Sequence, residues 1–418
     1  MQRILSTELP GKEKQTVTIA GWIHRRRLLK SVAFLIVRDA AGFSQVVITD
    51  PAVREQIESL AEETVVEVTA QVTANPAAPA GVELTGPHIR ALSSAVGVHK
   101  PFELHRPELG ATMATQLDHA ALALRHPSRA TALRVSAAAA AGFREALERQ
   151  RFVEIHTPKI VGTATECGAN VFTLDYFGSP AYLAQSPQFY KQLMVGVFER
   201  VYEVGPVFRA EPHDTARHLA QYTSLDAELG FITDHRDVMA VLTTVIAGMV
   251  ATVESRTGVA VPSVPSEIPA VHFEEALRIA GAPADEPDLA PAHERALGEW
   301  AVREHGSEFV FVTGYPMAKR PFYTHPQPSD PRWSNSFDLL FRGLELVTGG
   351  QRLHRYEDYL AVAPAPEKLA GYLDGFKYGM PPHGGFAIGL ERFVARLTGA
   401  ANVREVTAFP RDLHRVTP

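Results

Sequence analysis

The stretch with the most chemistry in this chain is VYEVGPVFRAEPHDTARHLAQYTSLDAELGF, at 201–231. Two strand-like runs flank a polar loop, so a hairpin is expected, and period-two alternation puts Arg209 and Glu211 on one face of its first strand. Tyr222, Ser224, Asp226 and Glu228 share a face of the second, and Arg217 sits in the loop. Such a floor suits a nucleotide with a divalent cation. Guanidinium forks can hold phosphate oxygens, carboxylates can bind Mg or orient the arginines, and the ring can stack on a base. A solvated sheet face carrying surface ion pairs is the other reading, and this stretch by itself leaves both open.

A second run tips the balance. FRGLELVTGGQRLHRYED, 341–358, sets Glu345 in a strand-like segment ahead of Thr348, a glycine pair and Arg352. Further on, in GYLDGFKYGMPPHGGFAIGLERFVARLTG, 371–399, a Gly-rich apolar strand passes into a helix that starts near Glu391 and Arg392. Glycines where a strand meets a helix let backbone approach a ligand, and an arginine in the first helical turn can reach its phosphates.

The elements that must position these groups divide the 418 residues into two or three domains. Between 15 and 95 the runs QTVTIAGWIH, VAFLIVRD, FSQVVITD, TVVEVTAQVTA and GVELTG read as five short strands, with DPAVREQIESLAEE as a helix between the third and fourth. A five-stranded barrel with a helix there fits the oligonucleotide/oligosaccharide-binding (OB) type. Residues 1–96 are assigned to it and 97–130, broken by Pro101, Pro107 and Pro127, to a hinge. A domain over 131–418 opens with an amphipathic helix on Leu133, Ala137, Ala140, Phe143 and Leu147. RFVEIHTPKI then reads as a strand, and mixed strands and helices follow without a βαβ rhythm. The fold class is therefore α+β, with an antiparallel sheet and a peripheral insertion around 256–300.

Composition narrows the function. Hydrophobic residues at 45% and charged residues at 21% exclude wholesale disorder. There is no uninterrupted apolar run of the roughly 18–20 residues needed to span a bilayer, so no membrane partner is expected. Polar residues in MQRILSTELPGKEKQ replace a signal peptide's apolar run, and a cytoplasmic location is expected. The single cysteine, Cys167, excludes an internal disulfide and a thiolate zinc cluster. Net charge −6 argues against a nonspecific DNA coat. Residues 1–100 nevertheless carry 11 Lys or Arg against 10 Asp or Glu, with the positive charge concentrated in HRRRLLK at 24–30.

With these motifs in order, the sequence resembles the class II aminoacyl-tRNA synthetases of the aspartate, asparagine and lysine subgroup, most closely the archaeal-type aspartyl enzymes. The long helix ending at Pro158 looks like the family's first motif, FRAEPHDTARHLAQYTSLDAE like the second and GGFAIGLERF like the third. The resemblance implies ATP and Mg2+ as cofactors, L-aspartate and tRNA as partners, and a homodimer. By resemblance, Arg209 and Arg392 clamp the phosphates as the catalytic pair. Arg217 reaches the outer phosphates, and Glu211, His218, Leu219, Tyr222 and Gly389 complete the ATP site. Glu345 binds the metal with Thr348 nearby. Glu166, Ser186, Gln188, Lys191, Asp226, Thr348 and Arg352, with Arg209, surround the amino acid, Glu166 coming from a mobile loop that also holds Cys167. YLAQSPQFYKQ matches the aspartate enzymes, and Lys191 with Arg352 would neutralise the aspartate side chain. Asparagine in its place would leave two cations without an anion.

The resemblance gives the barrel to the tRNA anticodon, with Phe34 stacking and Arg27 and Gln45 making phosphate and edge contacts. Relatives restricted to tRNA(Asp) tend to carry Trp at the position of His24 and Lys at that of Pro79. Both are missing here, so charging of tRNA(Asp) and tRNA(Asn) is expected, with an amidotransferase correcting the second product. The alternatives are a strict aspartyl enzyme, an asparaginyl enzyme, an asparagine synthetase of the same catalytic fold, and a non-enzymatic RNA-binding relative.

Overall fold

The computed structural model describes residues 2–96, 100–163 and 170–417. They fall into two compact units, Met1–His126 and Pro127–Pro418. In the first, β1 (Thr16–Leu28), β2 (Ala33–Arg38), β3 (Phe43–Ile48), β4 (Val65–Ala74) and β5 (Val82–Ser93) close into a barrel in the order β1-β2-β3-β5-β4. Alternation fills its interior with Ile19, Leu35, Val46, Val68 and Leu84. The helix expected between the third and fourth strands is α1 (Pro51–Ser59), which has proline in its first turn and Asp50 accepting from Ala52 N and Val53 N as its cap. The stretch assigned to a hinge contains α2 (Met113–Asp118) and α3 (Ala120–Ala123), and as far as His126 it groups with the barrel.

The second unit opens with α4 (Pro127–Glu148). RFVEIHTPKI, expected as one strand, gives two residues to β6 (Val153–Glu154) and two to β7 (Ile160–Val161). The latter joins β8 (Thr173–Tyr176) and β9 (Ser179–Leu183) in a small sheet. Then come α5 (Gln188–Phe198), β10 (Arg200–Phe208), β11 (Gln221–Gly230) and α6 (His235–Thr257). The 256–300 stretch is not merely peripheral: it supplies β12 (Ala270–His272), α7 (Phe273–Ala280) and the start of α8 (Pro291–His305). The chain closes with β13 (Phe309–Thr313), β14 (Ser336–Phe341), β15 (Leu344–Gln351), α9 (Tyr356–Val362), α10 (Ala370–Asp374), β16 (His383–Gly389) and α11 (Leu390–Thr398). Eight strands form the main sheet in the order β12-β13-β14-β15-β16-β11-β10-β6. Its central pairings are antiparallel, and the outermost pair at each edge is parallel. The chain is α+β.

The largest core lies where α4, α6 and α11 meet Phe337, Phe386 and Ile388 of the sheet. The buried stripe of α4 is Ala132, Val135, Ala138, Ala139, Gly142, Phe143, Ala146 and Leu147, whereas Ala137, expected inside, is exposed. Small residues win the inner face because α6 comes so close. A Cβ on Gly142 would meet Met249 Cα at 2.8 Å and Gly248 O at 2.9 Å. By length and composition α6 could cross a membrane, yet Val238, Leu242, Val245, Ile246 and Met249 are fully buried in this core. Gly142→Ala is expected to cost about 1–3 kcal/mol by overpacking that crossing. Urea unfolding measures it, and an unchanged midpoint would show that the helices can move apart freely.

Candidate functional site

Register lays out the floor of the site. Ser224, Asp226 and Glu228 of β11 pair with Gly389, Ala387 and Gly385 of β16, and Ala387 and Gly385 pair in turn with Thr348 and Gly350 of β15. Cross-strand partners share a face, so this face of β16 bears two hydrogens and a methyl, while Phe386 and Ile388 point into the core. The central strand is thereby kept low and the flanking strands supply the chemistry. At Gly385 there is no room for more: a Cβ would lie 2.0 Å from Glu228 Oε2 and 2.1 Å from Ala227 O.

Four charges lie buried on this floor. Lys191, from α5, places Nζ 3.0 Å from Asp226 Oδ1 and 3.4 Å from Glu228 Oε2, and donates to Phe386 O at 3.3 Å. Arg352 Nε donates to Glu228 Oε1 at 3.1 Å and Nη2 to Gly385 O at 3.0 Å. Ser224 Oγ donates to the other oxygen of Asp226. Lys191, Asp226 and Glu228 are at most 1% exposed. Ser186 and Gln188 are buried as well, and Gln188 Nε2 donates to Gln192 Oε1 at 2.9 Å. Gln192 Nε2 in turn reaches Tyr359 Oη and His383 Nε2, both at 3.0 Å. His383 Nδ1 donates to Pro381 O at 2.9 Å, so Nε2 is the acceptor. Burial pushes the His383 pKa down to about 4, which keeps the ring neutral.

Above the floor opens a cleft of about 680 Å³. Arg209, Glu211 and Tyr222 line its hairpin side and Arg217, His218 and Leu219 its loop side. Glu345, Thr348, Gly389 and Arg392 line it as well, and Arg392 Nε donates to Arg217 O at 3.3 Å. All residues expected at the ATP site thus meet in one cavity. The Arg209 guanidinium lies 5.9 Å from the Tyr222 ring centroid. Thr348 Oγ1 donates to Glu345 Oε1 at 3.3 Å, and Arg392 Nη1 lies 3.8 Å from the same oxygen. The partly exposed Glu345 carboxylate, beside a hydroxyl, offers the hard oxygen donors that suit Mg2+. Burial, together with the cations Arg392 and Arg217, lowers the His218 pKa to about 4. The cleft reaches Ser224 but not Lys191, Asp226 or Arg352, which lie beneath it.

Four residues have no role of their own that the sequence reveals. Glu228 shares the predicted face, yet only the structure shows that it binds both buried cations. Gln192 and His383 brace the floor from behind. Glu294 of α8 accepts from Glu345 N and Arg217 Nη1. Glu166 and Cys167 lie outside the described residues.

On the barrel, pairing of Arg27 with Phe34 and of Gln45 with Ile36 puts Arg27, Phe34 and Gln45 on the outer face, opposite the buried Leu35 and Val46. Gln45 Nε2 donates to Glu83 at 3.1 Å. Arg26 is spent on the carbonyls of Ile57 and Glu58. His24, at the position where relatives restricted to tRNA(Asp) tend to carry Trp, sits where the β1–β2 register shifts, is 8% exposed, and accepts from Arg38 Nη1 at 3.1 Å. Burial and Arg38 lower its pKa to about 4. Pro79 opens the turn Pro79–Gly81 between β4 and β5.

Comparison with known proteins agrees with this geometry. Residues 112–413 match the family model of class II tRNA synthetases (D, K and N), and residues 17–92 that of the OB-fold nucleic acid binding domain. The chain is 45% identical to an aspartate–tRNA(Asp/Asn) ligase of Deinococcus radiodurans, covering 100% of this chain and 99% of that one. Identity to the aspartate–tRNA(Asp/Asn) ligase of Thermus thermophilus is 44%, covering 100% of both. Among solved structures, the asparaginyl-tRNA synthetase of Pyrococcus horikoshii with asparaginyl-adenylate superimposes with a TM-score of 0.92 at 29% identity, covering 100% of both chains.

Lys191→Met leaves Asp226 and Glu228 short of a cation, so a stability loss of about 3–5 kcal/mol is expected in urea unfolding. A loss below about 1 kcal/mol would mean that water or a second cation replaces the ammonium. His383 gives a pH signature. An imidazole held near pKa 4 costs nothing above the unfolded value of 6.5, and its cost grows as pH falls from 6.5 to about 4. Between pH 7 and 5, His383→Asn should therefore lose about 2 kcal/mol less stability than the parent. Equal slopes would place the unfolded and folded pKa values together.

Proposed function

The chain belongs to the class II tRNA synthetases of the D, K and N group, and on that premise we propose that it is an aspartate–tRNA ligase that charges both tRNA(Asp) and tRNA(Asn). The observation that carries the amino-acid assignment is the buried pair Lys191 and Arg352 beneath the cleft. Both side chains carry donors only, so a carboxylate satisfies them, whereas the nitrogen of an amide would oppose donor to donor. The two cations are not left bare without substrate, as their charges alone would imply, because Asp226 and Glu228 already pair them. Rejection of asparagine then rests on donor geometry and on the competition between ligand and Glu228 for the same cations. The high identity to aspartate ligases supports the same choice.

The reaction asks the protein for position and charge, with no covalent nucleophile. The aspartate α-carboxylate attacks the α-phosphate of ATP in line, a new acyl–phosphate bond forms and pyrophosphate leaves. Arg209 and Arg392, which both line the cleft, hold the phosphates as charge shifts to the leaving group. Arg217 takes the outer phosphates and Tyr222 stacks under the adenine. Glu211, His218, Leu219 and Gly389 shape the rest of the nucleotide site. Glu345, with Thr348, would hold Mg2+, which supplies charge neutralisation at the phosphates. Asp226 receives the substrate ammonium, with Glu166 from the loop above, and Ser186 and Gln188 flank the side chain. A ribose hydroxyl at the tRNA 3′ end then attacks the mixed anhydride and releases AMP. A homodimer, a cytoplasmic location and an amidotransferase acting on aspartyl-tRNA(Asn) complete the reading.

For the tRNA, Arg27, Phe34 and Gln45 present an outward surface suited to stacking and edge contacts. The absence of a large ring at position 24 and of a charged donor at 79 removes groups that favour one anticodon. Aminoacylation of both transcripts, with ATP–pyrophosphate exchange on aspartate and asparagine, tests the proposal. Exchange should run on aspartate alone, and both tRNAs should be charged. The dual assignment fails if tRNA(Asn) is charged more than about a thousandfold less efficiently, a gap of about 4 kcal/mol. His24→Trp with Pro79→Lys should depress tRNA(Asn) charging selectively.

A further inference from the structure

Helix α8 approaches the turn between β14 and β15 as closely as backbones allow. A Cβ on Gly298 would lie 2.6 Å from Gly343 N and 2.8 Å from Gly343 Cα. A Cβ on Gly343, where φ is 67°, would meet Arg295 Cα at 2.9 Å. This contact carries Glu294, one helical turn before Gly298, to the start of β15. Its Oε2 accepts from Glu345 N at 3.1 Å and from Arg217 Nη1 at 3.4 Å. A carboxylate buried to 4% exposure is costly unless its partners need it. Here the partners are two residues that line the nucleotide cleft, 51 and 77 residues away in sequence.

We propose that Glu294 is a positioning residue for Mg·ATP. It fixes the backbone at Glu345, and so the direction of the Glu345 carboxylate and of the Thr348 hydroxyl bonded to it, and it holds Arg217 in place until the outer phosphates take that guanidinium over. It touches neither nucleotide nor metal. The Glu294 bond to Arg217 is the long one of the two, which suits a contact that is exchanged on binding, while the bond to the Glu345 amide is kept. The inference rests on the reading of the cleft as an ATP site.

The test compares the full-length parent with Glu294→Ala, Glu294→Gln and Gly298→Ala. Mg·ATP binding is measured by titration calorimetry, and aspartate-dependent pyrophosphate exchange is followed as Mg2+ is varied. Glu294→Ala should raise the Mg·ATP Kd and the KM for ATP about tenfold, the loss of one buried hydrogen bond, with KM for aspartate changed less than about twofold. Glu294→Gln keeps an acceptor for the Glu345 amide and should recover Kd to within about threefold of the parent. Gly298→Ala, which pushes α8 off Gly343 with Glu294 intact, should weaken Mg·ATP without altering aspartate affinity. The proposal is overturned if all variants bind Mg·ATP like the parent, if Glu294→Gln is as impaired as Glu294→Ala, or if ATP and aspartate affinities fall together. A parent that binds Mg·ATP but activates another amino acid would sink the substrate assignment and leave this inference standing. A parent that does not bind Mg·ATP would sink both.

Discussion

The buried pairing of Lys191 and Arg352 with Asp226 and Glu228 is the interaction on which the catalytic unit depends. Two cations and two carboxylates leave no net charge on the floor, so the floor is tolerable without substrate, and each member is costly to remove singly. The cluster also sets its surroundings. Gly385 must lack a side chain for Glu228 to lie flat, and the helix α5 must point Lys191 downward, which the Gln192 bonds to Tyr359 and His383 secure. A neutral His383 behind the cluster avoids adding a third cation to a balanced set.

The nucleotide side is built differently. Its groups are partly exposed, converge from the hairpin, β15 and α11, and are tied by longer contacts, such as Arg392 Nη1 to Glu345 O at 3.4 Å and to the Glu345 carboxylate at 3.8 Å. Loose ties suit groups that must turn to phosphates when these arrive. The amino-acid floor is closed by short, buried ion pairs, while the cleft above it is open and its charged groups are held at longer range.

Much of this was legible in the sequence because strands write their faces at period two. Tyr222, Ser224 and Asp226 could be put on their face from spacing alone, and the glycines of 384–389 marked a close approach, whereas Arg209 and Glu211, expected within the first hairpin strand, follow its end at Phe208. What could not be read was pairing between distant elements. Glu228 lies on the predicted face, but its partners come from α5 and from the end of β15, and no local pattern joins them. Glu294 sits in an Ala- and Pro-rich stretch whose composition signals only surface. The stripe of α4 was legible in part: Phe143 and Leu147 are buried as expected, but Ala137 is exposed, and Gly142 is preferred inside over Leu133 because the helix crossing is close. The burial of His24 was not legible either, because the bulge that turns it inward leaves no mark in the alternation.

The site face of β16 consists of Gly385, Ala387 and Gly389. A surface made of hydrogens and one methyl has no side chain to repack, so it sets the depth of the pocket as a fixed gauge. Attempts to redesign the enzyme for a larger amino acid therefore have only the Ala387 methyl to trim there, and for a smaller one no space in which to build at Gly385. Substrate range can be rewritten only from the walls, chiefly α5 and the residues after β15, where every useful change also disturbs the charge balance beneath.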